Sequence, residues 1–169
     1  MGMIASYKMV DPDVIDRLLQ LDHEELSEEL SEINEDPRYE TIDIDKSWDG
    51  LHFLLTGKSA VVSMKNNLLS ESIVGSHLFS EDEDNDFVAY TRFEELEPLI
   101  STFKNINKRT LYKKFSPDLF SKSKIYPDIW NTKNKAELFE FLYETGYKKL
   151  LRFYRSALKH KKCVIVTIQ

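Results

Sequence analysis

The run CVIVTIQ at residues 163–169 constrains the fold more than any other stretch of the chain. Residues 164–168 are all β-branched, stiff at χ1 and better suited to a pleated strand than to a helix. The run does not alternate apolar with charged residues, so it suits a central strand covered on both faces. Such a strand needs sheet partners beside it and helices packed against it. The rest of the sequence offers the helices. Apolar residues recur at helical spacing as Val14, Ile15, Leu18 and Leu19, then as Leu26, Leu30 and Ile33. A longer pattern over residues 133–160 carries Leu138, Phe141, Leu142, Leu150, Leu151, Tyr154 and Leu158. Further strands are predicted over residues 3–10, in YETIDID and in FVAY. The expectation is an α+β (mixed α/β) fold: a single compact domain over residues 1–169, helix-rich, with one modest mixed sheet that includes the C-terminal strand.

Local signals set some of the boundaries. Asp11 before Pro12 reads as an N-cap followed by the first helical residue. Thr91 and Glu94 have capping-box spacing, and Pro98 suits the first turn of a helix that starts afresh. Ser116 and Pro117 start another helix, and Gly57 is placed to close one. Gly146 interrupts the longest helical pattern and divides or kinks it. SAVVSM reads as a short strand or turn, and the acidic SEDEDND reads as a loop.

The 169 residues suffice for one core, and no repeat or low-complexity linker divides them. No apolar run approaches the roughly 20 residues that span a bilayer, and MGMIASYKMV lacks the pattern of a signal peptide. Gly2 and Ser6 have myristoylation spacing, but Met3 and Ile4 read more simply as the start of a buried strand. The single cysteine, Cys163, excludes an intrachain disulfide and a cysteine-rich zinc site, which fits a cytoplasmic protein. The net charge of −6 conceals a division: residues 1–100 carry 24 acids and 7 bases, residues 101–169 carry 5 acids and 16 bases. Charge runs of this length read as solvated helix faces, with the two halves attracting each other. The sharper alternative is an anion-binding surface on one side, or an acidic surface that meets a basic partner on the other.

Chemistry concentrates in IDIDKSWDGLHFLLTG, residues 42–57. A helix is expected from about Ser47, capped by Asp45 or Ser47. Asp45, Asp49 and His52 then line one edge, with Lys46 just before it and Trp48 and Leu51 turned to the core. One reading is purely architectural: cap, dipole-matched acids and core residues, with Asp49 holding the His52 ring or the Trp48 indole. A second makes His52 a general acid or base oriented by Asp49, with Lys46 and the helix start binding an anionic group. A third is a Mg or Mn site from Asp43, Asp45, Asp49 and His52, joined by His77, although no known ligand spacing is present. His77, in VGSH, follows Gly75, which permits unusual backbone or close approach. TGKSA looks like a fragment of a phosphate loop but lacks the first glycine. Arg109, Lys113, Arg152 and Arg155 with Tyr112, Phe153 and Tyr154 offer charge and rings for RNA, without any RNA-binding consensus. There is no Walker loop and no nucleophile elbow, and no cofactor or metal is implied.

The segment IDIDKSWDGLHFLLTG, the opening MGMI, VGSH at 74–77 and IYP at 125–127 follow one another as in the YfbM-like family. The chain resembles that bacterial family over most of its length, departing in its acidic helix region and in EDEDND. The resemblance implies a mixed α and β fold and a bacterial source, and it implies no activity. The leading functional expectation is therefore a cytoplasmic binding or accessory domain, immunity-type roles included, that acts on a protein partner, with nucleic acid disfavoured. The alternative is a small hydrolase or nucleotide- or phosphate-binding protein centred on Asp45, Lys46, Asp49 and His52.

Overall fold

A computed structural model describes residues 2–62, 64–80 and 87–169, and EDEDND lies outside the described residues. The β-branched run becomes strand β5 (Cys163–Ile168), the middle of a five-stranded sheet. The other strands are β1 (Ala5–Val10), β2 (Thr41–Asp43), β3 (His77–Leu78) and β4 (Phe87–Thr91), in the order β2-β1-β5-β4-β3. β5 pairs with β1 from Cys163↔Val10 to Ile168↔Ala5, and with β4 from Val164↔Thr91 to Ile168↔Phe87. The sheet includes the C-terminal strand, as expected. Its four pairings are all antiparallel, so the sheet is not the mixed one expected; strand polarity depends on how distant segments meet, which the sequence pattern does not disclose.

Both faces of β5 are covered, which is what its lack of alternation requires. Val164, Val166 and Ile168 join Ala5, Tyr7, Met9 and Ala89 in the larger core. Cys163 and Ile165 join Val10 and Tyr90 in the smaller one. Helices α1 (Pro12–Leu18) and α2 (His23–Glu35) close the smaller side through Val14, Ile15, Leu18, Leu26, Leu30 and Ile33. The other helices form the thicker layer: α3 (Trp48–Thr56), α4 (Leu68–Val74), α5 (Leu96–Lys104), α6 (Lys108–Lys114), α7 (Pro117–Lys122), α8 (Lys135–Glu140) and α9 (Lys149–Lys159). Tyr7 on β1 and Tyr154 on α9 donate to Ile73 O and Ser72 O at 2.7 and 2.8 Å, satisfying carbonyls near the end of α4 from inside the core.

The long pattern over residues 133–160 neither breaks nor stays regular. A π-helical stretch, Phe141–Lys148, joins α8 to α9 and contains Gly146. A Cβ at Gly146 would lie 2.9 Å from Ser47 Oγ, so the glycine lets this segment approach the start of α3. α5 holds Pro98 in its first turn as expected. The capping box expected of Thr91 and Glu94 does not form; instead Glu95 Oε2 accepts from Arg92 N at 2.8 Å. Thr91 stays in β4, where its Oγ1 accepts from Ser76 N at 3.1 Å. Among the described residues, two ion pairs join the acidic half to the basic half, Lys162–Asp11 and Lys149–Asp43. The remaining exposed charge is mostly solvated, including five of the six glutamates of α2. No helix among the described residues is long and apolar enough to cross a membrane.

Candidate functional site

The motif begins where β2 ends. Asp43 Oδ1 accepts from Asp45 N at 3.1 Å, and Asp45 takes a left-handed conformation at φ 50°. One 3₁₀ turn, Asp45–Ser47, then leads into α3. Neither Asp45 nor Ser47 caps the helix with its side chain, contrary to expectation; Ser47 Oγ donates back to Ile44 O. Gly57 closes α3 in the left-handed conformation, φ 76°, with its N–H on Phe53 O, as the sequence predicts.

Asp49 and His52 neither bond each other nor share a partner. Asp49 is 2 % exposed. Its Oδ1 accepts from Ser59 Oγ at 2.8 Å and Ala60 N at 2.7 Å, and its Oδ2 accepts from Tyr126 N at 2.9 Å. Three donors on a buried carboxylate bind α3 both to the loop that follows it and to the distant segment at residue 126. His52 is fully buried. Its Nδ1 lies 2.7 Å from Lys58 O, which only accepts, so Nδ1 carries the proton. Nε2 therefore accepts from Ser70 Oγ on α4, at 2.7 Å. Burial holds the imidazole pKa below its ordinary value, against the opposing pull of the Lys58 carbonyl and the Asp49 charge. Thr56 Oγ1 accepts from Lys58 N and donates to His52 O, adding a further tie.

The other candidates have partners of their own. Trp48 is buried and donates its indole N–H to Met3 O at 3.1 Å, and its ring sits 5.5 Å from that of Tyr126. Lys46 is half-buried against Gly2, where an added Cβ would approach Lys46 Cε to 2.7 Å. His77 is exposed, bonded through Nε2 to Glu95 at 2.6 Å and set against the Tyr90 ring. Gly75 before it has φ 84°, and a Cβ there would meet Ala89 Cβ at 2.8 Å, the close approach expected of it. Lys46, Trp48 and Asp49 thus border Tyr126, His52 faces the Lys58 carbonyl and Ser70, and His77 lies apart against Glu95 and Tyr90. Among the described residues no group of three or more His, Cys, Asp or Glu side chains is arranged to hold a metal.

Two surface clefts of about 430 and 450 Å³ also lie elsewhere. One runs between α2 and the sheet, past Leu26, Leu30, Val88 and Thr167. The other is lined by Arg38, Tyr39, His160 and Lys162. Phe153 and Tyr154, offered as stacking rings for RNA, are core residues. Cys163 is buried in β5, and burial raises its thiol pKa, as expected of an unreactive core residue.

The motif alone does not disclose the partners of Asp49 and His52, which are Ser59, Ala60, Ser70, Tyr126 and the Lys58 carbonyl. Two of the stretches that hold them carry other signals in the sequence, TGKSA as a partial phosphate loop and IYP as a family feature. MGMI, the motif and IYP in fact meet at one joint, through Met3, Trp48, Asp49 and Tyr126. Comparison with known proteins places the whole chain. The family described as Domain of unknown function (DUF1877) matches residues 1–167. Protein YfbM of Escherichia coli (strain K12) is 32 % identical over 170 residues, covering 98 % of this chain and 99 % of YfbM. The crystal structure of that protein of unknown function, YfbM from Escherichia coli, superposes with a TM-score of 0.79 at 28 % identity, again over 98 % of this chain and 99 % of the other. The chain therefore belongs to the DUF1877 family, and its fold is that of YfbM.

Proposed function

We propose that this is a binding domain that acts on a protein partner and carries out no hydrolysis at its signature motif. The observation that supports the reading is the full use of Asp49 and His52 inside the fold. A hydrolytic pair must keep hydrogen-bonding positions free to meet substrate or water. Here the carboxylate has three internal donors, and both imidazole nitrogens have internal partners. An accessory or immunity-type protein needs no such freedom, because it works by covering a partner's surface.

The test sets the purified protein against phosphate monoesters, phosphodiesters and carboxylic esters, beside a His52→Gln variant whose fold is verified by circular dichroism. No turnover above buffer is expected from either. Turnover by the parent protein that disappears in the folded His52→Gln variant would refute the reading in favour of a hydrolase.

A further inference from the structure

The buried polar groups of the motif converge on the loop at residues 57–62. His52 donates to Lys58 O, and Asp49 accepts from Ser59 Oγ and Ala60 N. A turn then closes as Val62 N donates to Ser59 O at 3.0 Å. This loop, held from beneath by the motif, carries at its apex the most exposed large apolar residue among those described. Val61 is 79 % exposed and Val62 is 45 % exposed. Exposed apolar residues are usually scattered singly, and two adjacent ones on a loop fixed from beneath form a preorganised contact surface. The sequence that flanks them also differs in charge from the rest of residues 1–100. No acid occurs between Asp49 and Glu71, although residues 1–100 carry 24. The exposed bases in that interval are Lys58 and Lys65, and neither forms an ion pair among the described residues.

We propose that the loop at residues 57–62 is the docking surface of this domain, and that its partner is a protein offering an apolar pocket with an acidic rim. The proposal rests on the binding reading above and says where the binding occurs. Val61 and Val62 enter the pocket, and Lys58 and Lys65 meet the rim. A lipid surface is disfavoured as the occupant. Interfacial anchors use Trp, Phe or Leu with several bases, whereas this apex offers two valines and two lysines on a chain of net charge −6.

A photo-crosslinking side chain placed at Val61, and separately at exposed Glu28 and Tyr112, tests this in cells of the source organism. The Val61 position is expected to give one discrete protein adduct that the other two positions lack. Its attachment site should lie among apolar residues flanked by Asp or Glu. Its yield should fall at least about tenfold with Val62→Asp, as for loss of an interface anchor, and fall again with Lys58→Glu and Lys65→Glu together. Because Val61 and Val62 are exposed, these variants should keep the parent circular dichroism spectrum. A discrete adduct at Glu28 or Tyr112 but not at Val61 overturns the loop assignment and leaves the binding reading standing. No adduct at any position overturns both. Equal adducts at all three, or Val61-dependent pelleting with anionic phosphatidylglycerol vesicles, overturns the proposed partner.

Discussion

Replacing Asp49 by alanine removes one small side chain and strands two backbone amides. Ser59 Oγ lies in a half-exposed loop and can rotate to water, but Ala60 N and Tyr126 N point at the buried carboxylate. A buried donor left without a partner costs about 1–3 kcal/mol. Losing two, together with the charge-assisted bonds themselves, sums to about 3–5 kcal/mol once the relieved burial of a charge is set against it. Against a typical domain stability of about 5–15 kcal/mol, that is roughly a fifth or more of the total. An asparagine in its place would keep the shape but set its NH₂ against one N–H in either orientation, so Asp49→Asn should cost less, about 1.5–3 kcal/mol. Urea unfolding followed by far-ultraviolet circular dichroism gives both values without relying on the fluorescence of neighbouring Trp48. Hydrogen exchange adds the local readout: the amides of Ala60 and Tyr126 should lose protection in Asp49→Ala while those of β5 keep theirs. A loss under about 1 kcal/mol for Asp49→Ala, or unchanged protection at those two amides, would refute the claim that this carboxylate holds the loop.

His52 gives a pH signature. Its folded pKa lies below its unfolded value of roughly 6.5, so the unfolded state binds more protons in the interval between the two. Its contribution to stability is therefore present above about pH 6.5 and lost as the pH falls through the folded pKa. Urea midpoints measured across that interval should show this slope in the parent protein, and His52→Gln should flatten it; an unchanged slope would show that another group titrates. Gly50→Ala tests close packing of α3. An added Cβ would lie 2.6 Å from Trp130 Cη2 and 2.9 Å from Leu142 Cδ2, so overpacking of about 1–3 kcal/mol should outweigh the roughly 1 kcal/mol that alanine gains in a helix. A higher melting temperature in the variant would contradict that geometry.

The sheet was legible because its central strand announces itself. An unbroken β-branched run has few alternatives to a strand covered on both faces, and β5 is one. The helices that carry apolar stripes, α1, α2 and α9 among them, were legible for the same periodic reason. Side-chain direction at the motif was not. Spacing along α3 brings Asp49 and His52 to neighbouring turns, which suits a reactive couple or a mutual support equally well. Spacing says nothing about what chain returns to meet those turns. Ser59 and Ala60 arrive through the left-handed closure at Gly57, Ser70 arrives on the next helix, and Tyr126 comes from 77 residues away. Strand polarity was hidden in the same way, since antiparallel order depends on how the ends of distant segments meet. Thr91 does not cap with Glu94 because it is kept in its strand, bonded to Ser76, and Glu95 reaches back to Arg92 N instead.

The ladder between β1 and β5 has a consequence for biogenesis. The two strands that form the heart of the sheet lie at residues 5–10 and 163–168, so β1 leaves the ribosome long before β5 does. Until β5 emerges, β1 and β4 have no strand between them, and the inner edges of both stay open to pairing with other chains. Completion of this sheet accordingly waits until synthesis of residues 163–168, and the large sequence separation between partners slows folding. A nascent chain stalled even a few residues before Cys163 would present those two edges with nothing to pair them, and would depend on chaperones to keep it from aggregating.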